Sequence, residues 1–169
     1  ILGGELSVES KIGEGSTFCL KVVAEPAIPE NGSMIGQTRQ IARIHEDQPP
    51  FTVLVVDDDD HNRDILTQML TQIGAKVIEA KDGYEAIEHC NLSSPDLVFM
   101  DIRMPGLDGY ETTQYIRTNI SKELPIVALT ASVLDEDKKR ALESGMNDFI
   151  AKPVRPKEVV QIINQWIEC

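Results

Sequence analysis

The sequence predicts an α/β domain built on a parallel, doubly wound sheet of five strands with helices on both faces. Three observations predict it. Short apolar runs alternate five times with segments of helical period, the order that successive strand-crossover-strand units produce. The runs are near-continuous rather than alternating, as in strands buried on both faces. Four of them end at polar groups suited to chemistry, namely Asp57 and Asp58, Asp101, Thr130 and Lys152. These are carboxyl ends of strands, where an open α/β sheet places its ligand crevice.

Length and charge narrow the function classes. The 169 residues hold one domain of about 100 to 150 residues plus a short extension. No apolar run approaches the roughly 18 to 20 residues of a membrane span, and no signal-peptide pattern opens the chain. Beginning at Ile1, the chain reads as a cytoplasmic fragment of a longer protein, compatible with a membrane anchor upstream. The net charge is -12, and residues 51–169 hold 21 Asp and Glu against 12 Lys and Arg. That balance excludes a nucleic-acid footprint and favours metal ions or cationic partners. Cys19, Cys90 and Cys169 are odd in number, far apart and without metal-ligand spacing, which predicts free thiols in a reducing compartment.

In chain order, Gly4 to Ser10 alternates apolar and polar residues and Thr17 to Val23 is a second β-rich run, with Lys11 to Ser16 as the turn between them. This is a hairpin. Its Gly-x-Gly-Ser is read as a plain turn, because no helix follows to offer an N-terminus to a phosphate. Residues 25–50 are punctuated by Pro26, Pro29, Gly32, Gly36, Pro49 and Pro50 and read as a linker. Ile35 to Ile44 suffices for a turn or two of marginal helix at most. His45-Glu46 is a solvated linker pair, since Pro49 and Pro50 prevent any long helix from carrying it.

Phe51 to Val56 is the first strand of the body, followed by four consecutive aspartates, Asp57 to Asp60. Ile65, Leu66, Met69, Leu70 and Ile73 then mark one helix face, stopped by Gly74. Val77-Ile78 is the second strand, and Asp82 caps a helix running to about Cys90. Leu97 to Met100 is the central strand, ending at Asp101. Pro105, Gly106 and Gly109 turn the chain into a third helix over Tyr110 to Thr118. Ile126 to Leu129 is the fourth strand, Val133 to Ser144 the fourth helix with Gly145 behind it, and Phe149 to Ala151 the fifth strand. Pro156 opens the last helix at its first position, with Val159, Ile162, Ile163, Trp166 and Ile167 as its apolar stripe. Trp166 is assigned to the core or a subunit contact.

Three carboxylates near one point repel unless a cation neutralises them, and hard oxygen ligands of this kind suit Mg²⁺ or Mn²⁺. Taken alone, the aspartate run is equally a helix N-terminal cap. The Thr and Lys shift the balance. A nucleophilic carboxylate surrounded by a metal, an ammonium and a hydroxyl is what phosphoryl transfer to Asp requires, because charge on the equatorial oxygens must be met by fixed positive groups.

On these residues the resemblance is specific. Val55-Val56-Asp57-Asp58, Met100-Asp101-Ile102-Arg103-Met104-Pro105-Gly106-Leu107-Asp108-Gly109, Ala128-Leu129-Thr130-Ala131 and Lys152-Pro153 resemble the motifs of two-component receiver domains over residues 51–169. Gly3 to Phe18 resembles the last Gly-rich box and final strands of the ATP-binding domain of sensor histidine kinases, over residues 1–24. That fragment lacks the family's Asn-bearing metal box and so is not expected to bind ATP by itself.

The arrangement resembles the C-terminal end of a hybrid histidine kinase. It implies a flavodoxin-like (βα)5 fold with strand order 2-1-3-4-5. It also implies that Asp101 accepts the phosphoryl group, Asp58 binds Mg²⁺ directly, Asp57 supports it through water, and the Arg103 carbonyl completes the protein ligands. Lys152 and Thr130 would contact phosphoryl oxygens, and Phe149 would reorient with Thr130. Arg103 and Ser132 flank the pocket at positions that vary in the family. The Lys152-Pro153 bond is expected to be cis. The implied partners are a kinase phosphohistidine domain, in the same chain or its dimer mate, and a His-phosphotransfer protein. Weak self-association is compatible with the resemblance. The parent would be the kinase, while this fragment would catalyse only its own phosphorylation and dephosphorylation.

Two other readings compete. A haloacid dehalogenase-type phosphatase would use Asp57 as nucleophile, although its motif expects Thr or Val where His61 stands. A scaffold receiver usually lacks part of the acidic site, and this sequence lacks none of it. Finally, the stripe on the first helix spans roughly 140°, wider than a core contact demands, so Ile65 at its edge is predicted to be exposed for docking a partner helix.

Overall fold

The computed structural model describes residues 4–11, 15–22, 50–131 and 135–167. The expected linker, apart from Pro50, lies outside the described residues, as do His45-Glu46, Ser132 and Cys169. The chain divides into two units. In the first, β1 (Gly4–Lys11) and β2 (Gly15–Val22) pair antiparallel, with Val8 opposite Phe18, which is the expected hairpin.

The second unit carries β3 (Thr52–Val56), β4 (Lys76–Ala80), β5 (Leu97–Asp101), β6 (Ile126–Thr130) and β7 (Asp148–Ala151) in one sheet. Its order is β4-β3-β5-β6-β7 and every pairing is parallel, which is the expected 2-1-3-4-5 arrangement. The order reverses between β3 and β5, so the crevice at their carboxyl ends lies between the strands that finish in Asp57 and Asp101.

Period-two alternation sorts the strand residues into two layers. Val53, Val55, Leu97, Phe99, Val127 and Leu129 pack with Leu66 and Leu70 of α1 (Asp60–Gln72) and with Val159, Ile162 and Ile163 of α5 (Pro156–Trp166). Leu54, Val56, Val98, Met100, Ile126 and Ala128 pack on the other side. Their partners are Ala86 and Cys90 of α2 (Gly83–Ser93), Tyr110 and Ile116 of α3 (Gly109–Asn119) and Ala141 of α4 (Asp135–Glu143). By the same alternation Asp57 and Asp101 continue the set that faces α1 and α5. Trp166 is partly buried against that layer, as expected of a core residue.

The element boundaries follow local chemistry. Asp59 caps α1, accepting from the N–H groups of His61 and Asn62, and Asp82 caps α2 through Glu85 N–H. Asp108 and Glu111 form a reciprocal capping box that starts α3 one residue before the expected Tyr110. Gly74 and Gly145, at φ of +95° and +96°, stop α1 and α4 in a conformation that side chains disfavour. The second strand is longer than the Val77-Ile78 core because Glu79 and Ala80 continue the pairing with β3. Cys90 is buried, which pushes its thiol up to about 11 and leaves it a protonated core group at neutral pH. Leu70 is fully enclosed between α1 and the sheet, so Leu70→Ala is expected to lower the unfolding free energy by about 2 to 5 kcal/mol in a denaturant titration.

Candidate functional site

The crevice is built from the carboxyl ends of strands, which the parallel sheet brings together. At the end of β3, Asp57 is 1 % exposed. Its Oδ1 accepts from Asp59 N–H at 3.1 Å and Asn62 Nδ2 at 3.3 Å, and its Oδ2 lies 2.6 Å from Lys152 Nζ. Asp58, the next residue, is exposed and faces an open cleft of about 500 Å³ that also reaches Arg103, Asp108 and Arg140.

Asp101 ends β5 and is 6 % exposed. Its Oδ2 sits 2.8 Å from the same Lys152 Nζ, and its Oδ1 accepts from Arg103 N–H at 3.3 Å. Gly109 lies directly under it, its N–H donating to the Ile102 carbonyl at 3.0 Å. A Cβ there would run into the Asp101 carbonyl oxygen, so the glycine that opens α3 is a close-approach requirement.

Thr130, 6 % exposed, ends β6, and its carbonyl accepts from Lys152 N–H at 2.7 Å, which fixes the backbone of the lysine beside the threonine. The Lys152-Pro153 peptide bond is cis, as expected. Phe149 lies on β7 two residues before Ala151, the partner of Thr130, half-buried opposite Ala128, with Lys138 Nζ of α4 4.7 Å from its ring centre.

The structure therefore gathers Asp57, Asp58, Asp101, Thr130 and Lys152 at one edge and sets Arg103 and Phe149 beside them. Sequence reasoning missed Asn62 and Arg63, whose guanidinium donates to the Asp57 carbonyl at 2.7 Å. No periodic signal marks them, because both contacts depend on α1 folding back over the end of β3.

Electrostatics follow from burial. Desolvation pushes the Asp101 carboxyl up, aided by the nearby Asp57 charge, while the Lys152 contact pulls the other way and does not win. Burial alone would pull Lys152 down, but its hydrogen bonds with Asp101 and Asp57 outweigh that and hold its ammonium above the ordinary value. Carboxylate oxygens of Asp57, Asp58 and Asp101 all lie within 4.8 Å of one another. An all-oxygen acidic donor set with one member exposed to solvent fits a hard divalent cation that keeps part of its water shell.

A model of the response regulator receiver domain matches residues 53–164. The chain belongs to that family. Over 118 residues it is 39 % identical to sensor histidine kinase GacS of Pseudomonas protegens, a match covering 68 % of this chain and 13 % of that protein. The chain thus spans only a small part of its full-length relative.

Among solved structures, the receiver domain of sensor histidine kinase PA1611 from Pseudomonas aeruginosa superposes with a TM-score of 0.66 at 36 % identity. The match covers 70 % of this chain and 98 % of that one, and that structure has a magnesium ion coordinated in the active site cleft. The receiver domain of the Saccharomyces cerevisiae response regulator Ssk1, in co-crystals with the histidine phosphotransfer protein Ypd1, gives 0.66 at 34 % identity, covering 70 % and 90 %. Among the described residues no helix is long and apolar enough to cross a membrane.

The receiver domain's raised Asp101 has a thermodynamic consequence. A carboxyl with a raised folded-state pKa contributes most below its unfolded value and loses that contribution as pH rises through the folded one. Ionising Asp101 in the folded state is therefore a net cost to folding. Asp101→Asn is expected to raise the melting temperature of the metal-free domain at pH 7, with the gain shrinking toward pH 4. Differential scanning calorimetry across that range measures it.

Proposed function

We propose that this receiver domain takes a phosphoryl group onto Asp101 from the phosphohistidine of a histidine kinase. It then passes the group to a His-phosphotransfer protein or loses it to water. The observation that carries this reading is a buried carboxylate, at the end of the central strand, held 2.8 Å from one ammonium with two further carboxylates beside it. An Asp101 oxygen attacks phosphorus, the P–N bond breaks, and its electron pair returns to the imidazole. Lys152 and the Thr130 hydroxyl meet the charge on the transferring oxygens. Asp58 would hold Mg²⁺ or Mn²⁺ directly, Asp57 through water, and the Arg103 carbonyl would complete the protein ligands. When bound, the metal offsets the carboxylates and polarises the phosphoryl oxygens. Phe149 would reorient with Thr130 once the group is attached.

Asp59 is committed to capping α1, where hydrogen bonds from the N–H groups of Asn62 and His61 hold its carboxyl below the ordinary value. That leaves the phosphatase reading, with its Asp57-x-Asp59 motif, without support. Residues 1–24 are read as the last strands of a kinase ATP-binding domain and 25–50 as a linker, which makes the parent a hybrid histidine kinase and its phosphohistidine domain the donor.

The recipient docks, in this reading, on α1. Ile65 is 38 % exposed, and it borders a cavity of about 150 Å³ that includes Leu66, Pro153, Val154 and the site residues Asp57 and Lys152. An apolar edge adjoining the acidic site suits a helix that must present its histidine to Asp101. Labelling by acetyl phosphate is expected to require Mg²⁺ and to vanish in excess chelator. Ile65→Asp should slow exchange with a His-phosphotransfer protein about tenfold while changing acetyl phosphate labelling less than about twofold. Full labelling in chelator contradicts the metal requirement. Equal losses in both Ile65→Asp assays with a lowered melting temperature assign Ile65 to the core.

A further inference from the structure

Asp57 and Asp58 are joined by one peptide unit, and its orientation decides where Asp58 leaves the backbone. The Asp57 N–H is held by the Ala80 carbonyl at the end of β4, at 3.2 Å. The Asp57 carbonyl oxygen, which belongs to the peptide leading to Asp58, accepts from Arg63 Nη1 at 2.7 Å. The Arg63 side chain is only 13 % exposed. The same guanidinium pairs with Asp60 on its own helix and reaches Glu79 of β4 at 3.7 Å.

One planar group thus ties the end of β3 to α1 and β4. Arginine suits this post because its donors point in fixed directions, whereas an ammonium acts as a point charge. Asp60 and Glu79 partly offset its positive charge. Asn62, one residue earlier, grips the Asp57 carboxylate itself. The two neighbours on α1 therefore fix both ends of Asp57, one at its side chain and one at its backbone.

We infer that Arg63 is a positioning residue for metal binding, which fixes the Asp57-Asp58 peptide plane and so holds the Asp58 carboxylate within reach of Asp57 and Asp101. The inference rests on the proposed role of those three carboxylates as the metal site. Removing a group that orients a metal ligand typically weakens the metal by about 10- to 100-fold.

Isothermal titration of the full chain with MgCl2 tests it. Arg63→Met, which keeps an apolar stem and removes the donors, is expected to weaken Mg²⁺ about tenfold. Labelling by acetyl phosphate at saturating Mg²⁺ should stay within about twofold of the parent chain. Arg63→Lys keeps the charge without the fork and should lose about threefold, and it supplies the deciding value if Arg63→Met does not fold.

Unchanged Mg²⁺ affinity in the folded variants, whatever their melting temperatures, overturns the inference and leaves Arg63 a strut between α1 and the sheet. So does a fall in maximal labelling rate with no rise in the Mg²⁺ needed. Asp58→Asn separates the two levels of the claim. If that variant binds Mg²⁺ as tightly as the parent chain, the metal site itself has been misplaced and the failure is not specific to Arg63.

Discussion

Two carboxylates that are almost fully buried share one ammonium, and much of the domain can be derived from the need to keep them there. Lys152 Nζ lies 2.6 Å from Asp57 and 2.8 Å from Asp101. Like charges this close repel strongly in a low-dielectric site, and the shared ammonium offsets that repulsion only in part. Such an arrangement persists only where rigid elements over-determine the positions of its members. The parallel sheet supplies that rigidity, since β3 and β5 are central, pair with each other, and end at the same level.

The supports around this contact are mostly backbone groups and short side chains. Asp57 is held by a turn N–H and by Asn62, its carbonyl by Arg63, and Asp101 by the Arg103 N–H. Lys152 is fixed through its own N–H on Thr130. Gly109 lets α3 begin directly against the Asp101 backbone. The acid that takes the phosphoryl group, in the proposed reading, is therefore held by its neighbours while its carboxyl is kept above its ordinary value by burial. The strain of desolvation that makes the site costly to fold is also what a bound dication would relieve.

Much of this was legible in the sequence because it rests on period and punctuation. Continuous apolar runs gave the buried strands, a change to helical period gave the helices, and the polar groups at run ends converged once the strands were parallel. Asp82 was read as a cap and Gly74 and Gly145 as stops, whereas the Asp108 cap of α3 was found only in the structure. Arg63 and Asn62 were not legible, because their role depends on α1 folding back over the end of β3, a tertiary relation that leaves no periodic trace. Helix α4 matches the expected helix over Asp135–Glu143, and Val133 and Leu134 lie outside the described residues. Its described side chains are largely charged, and it is held partly by cation–π contacts, Lys138 over Phe149 and Arg140 over Tyr110, rather than by a broad apolar face.

The central claim is that Asp101, and not another member of the acidic cluster, forms the acyl phosphate. The most direct measurement is chemical trapping of that bond. Phosphorylate the chain with Mg²⁺ and a small phosphodonor, reduce it with borohydride, and locate the resulting homoserine by peptide mass spectrometry. The account predicts homoserine at position 101 alone. Homoserine at position 57 would contradict it and would restore Asp57 as the nucleophile.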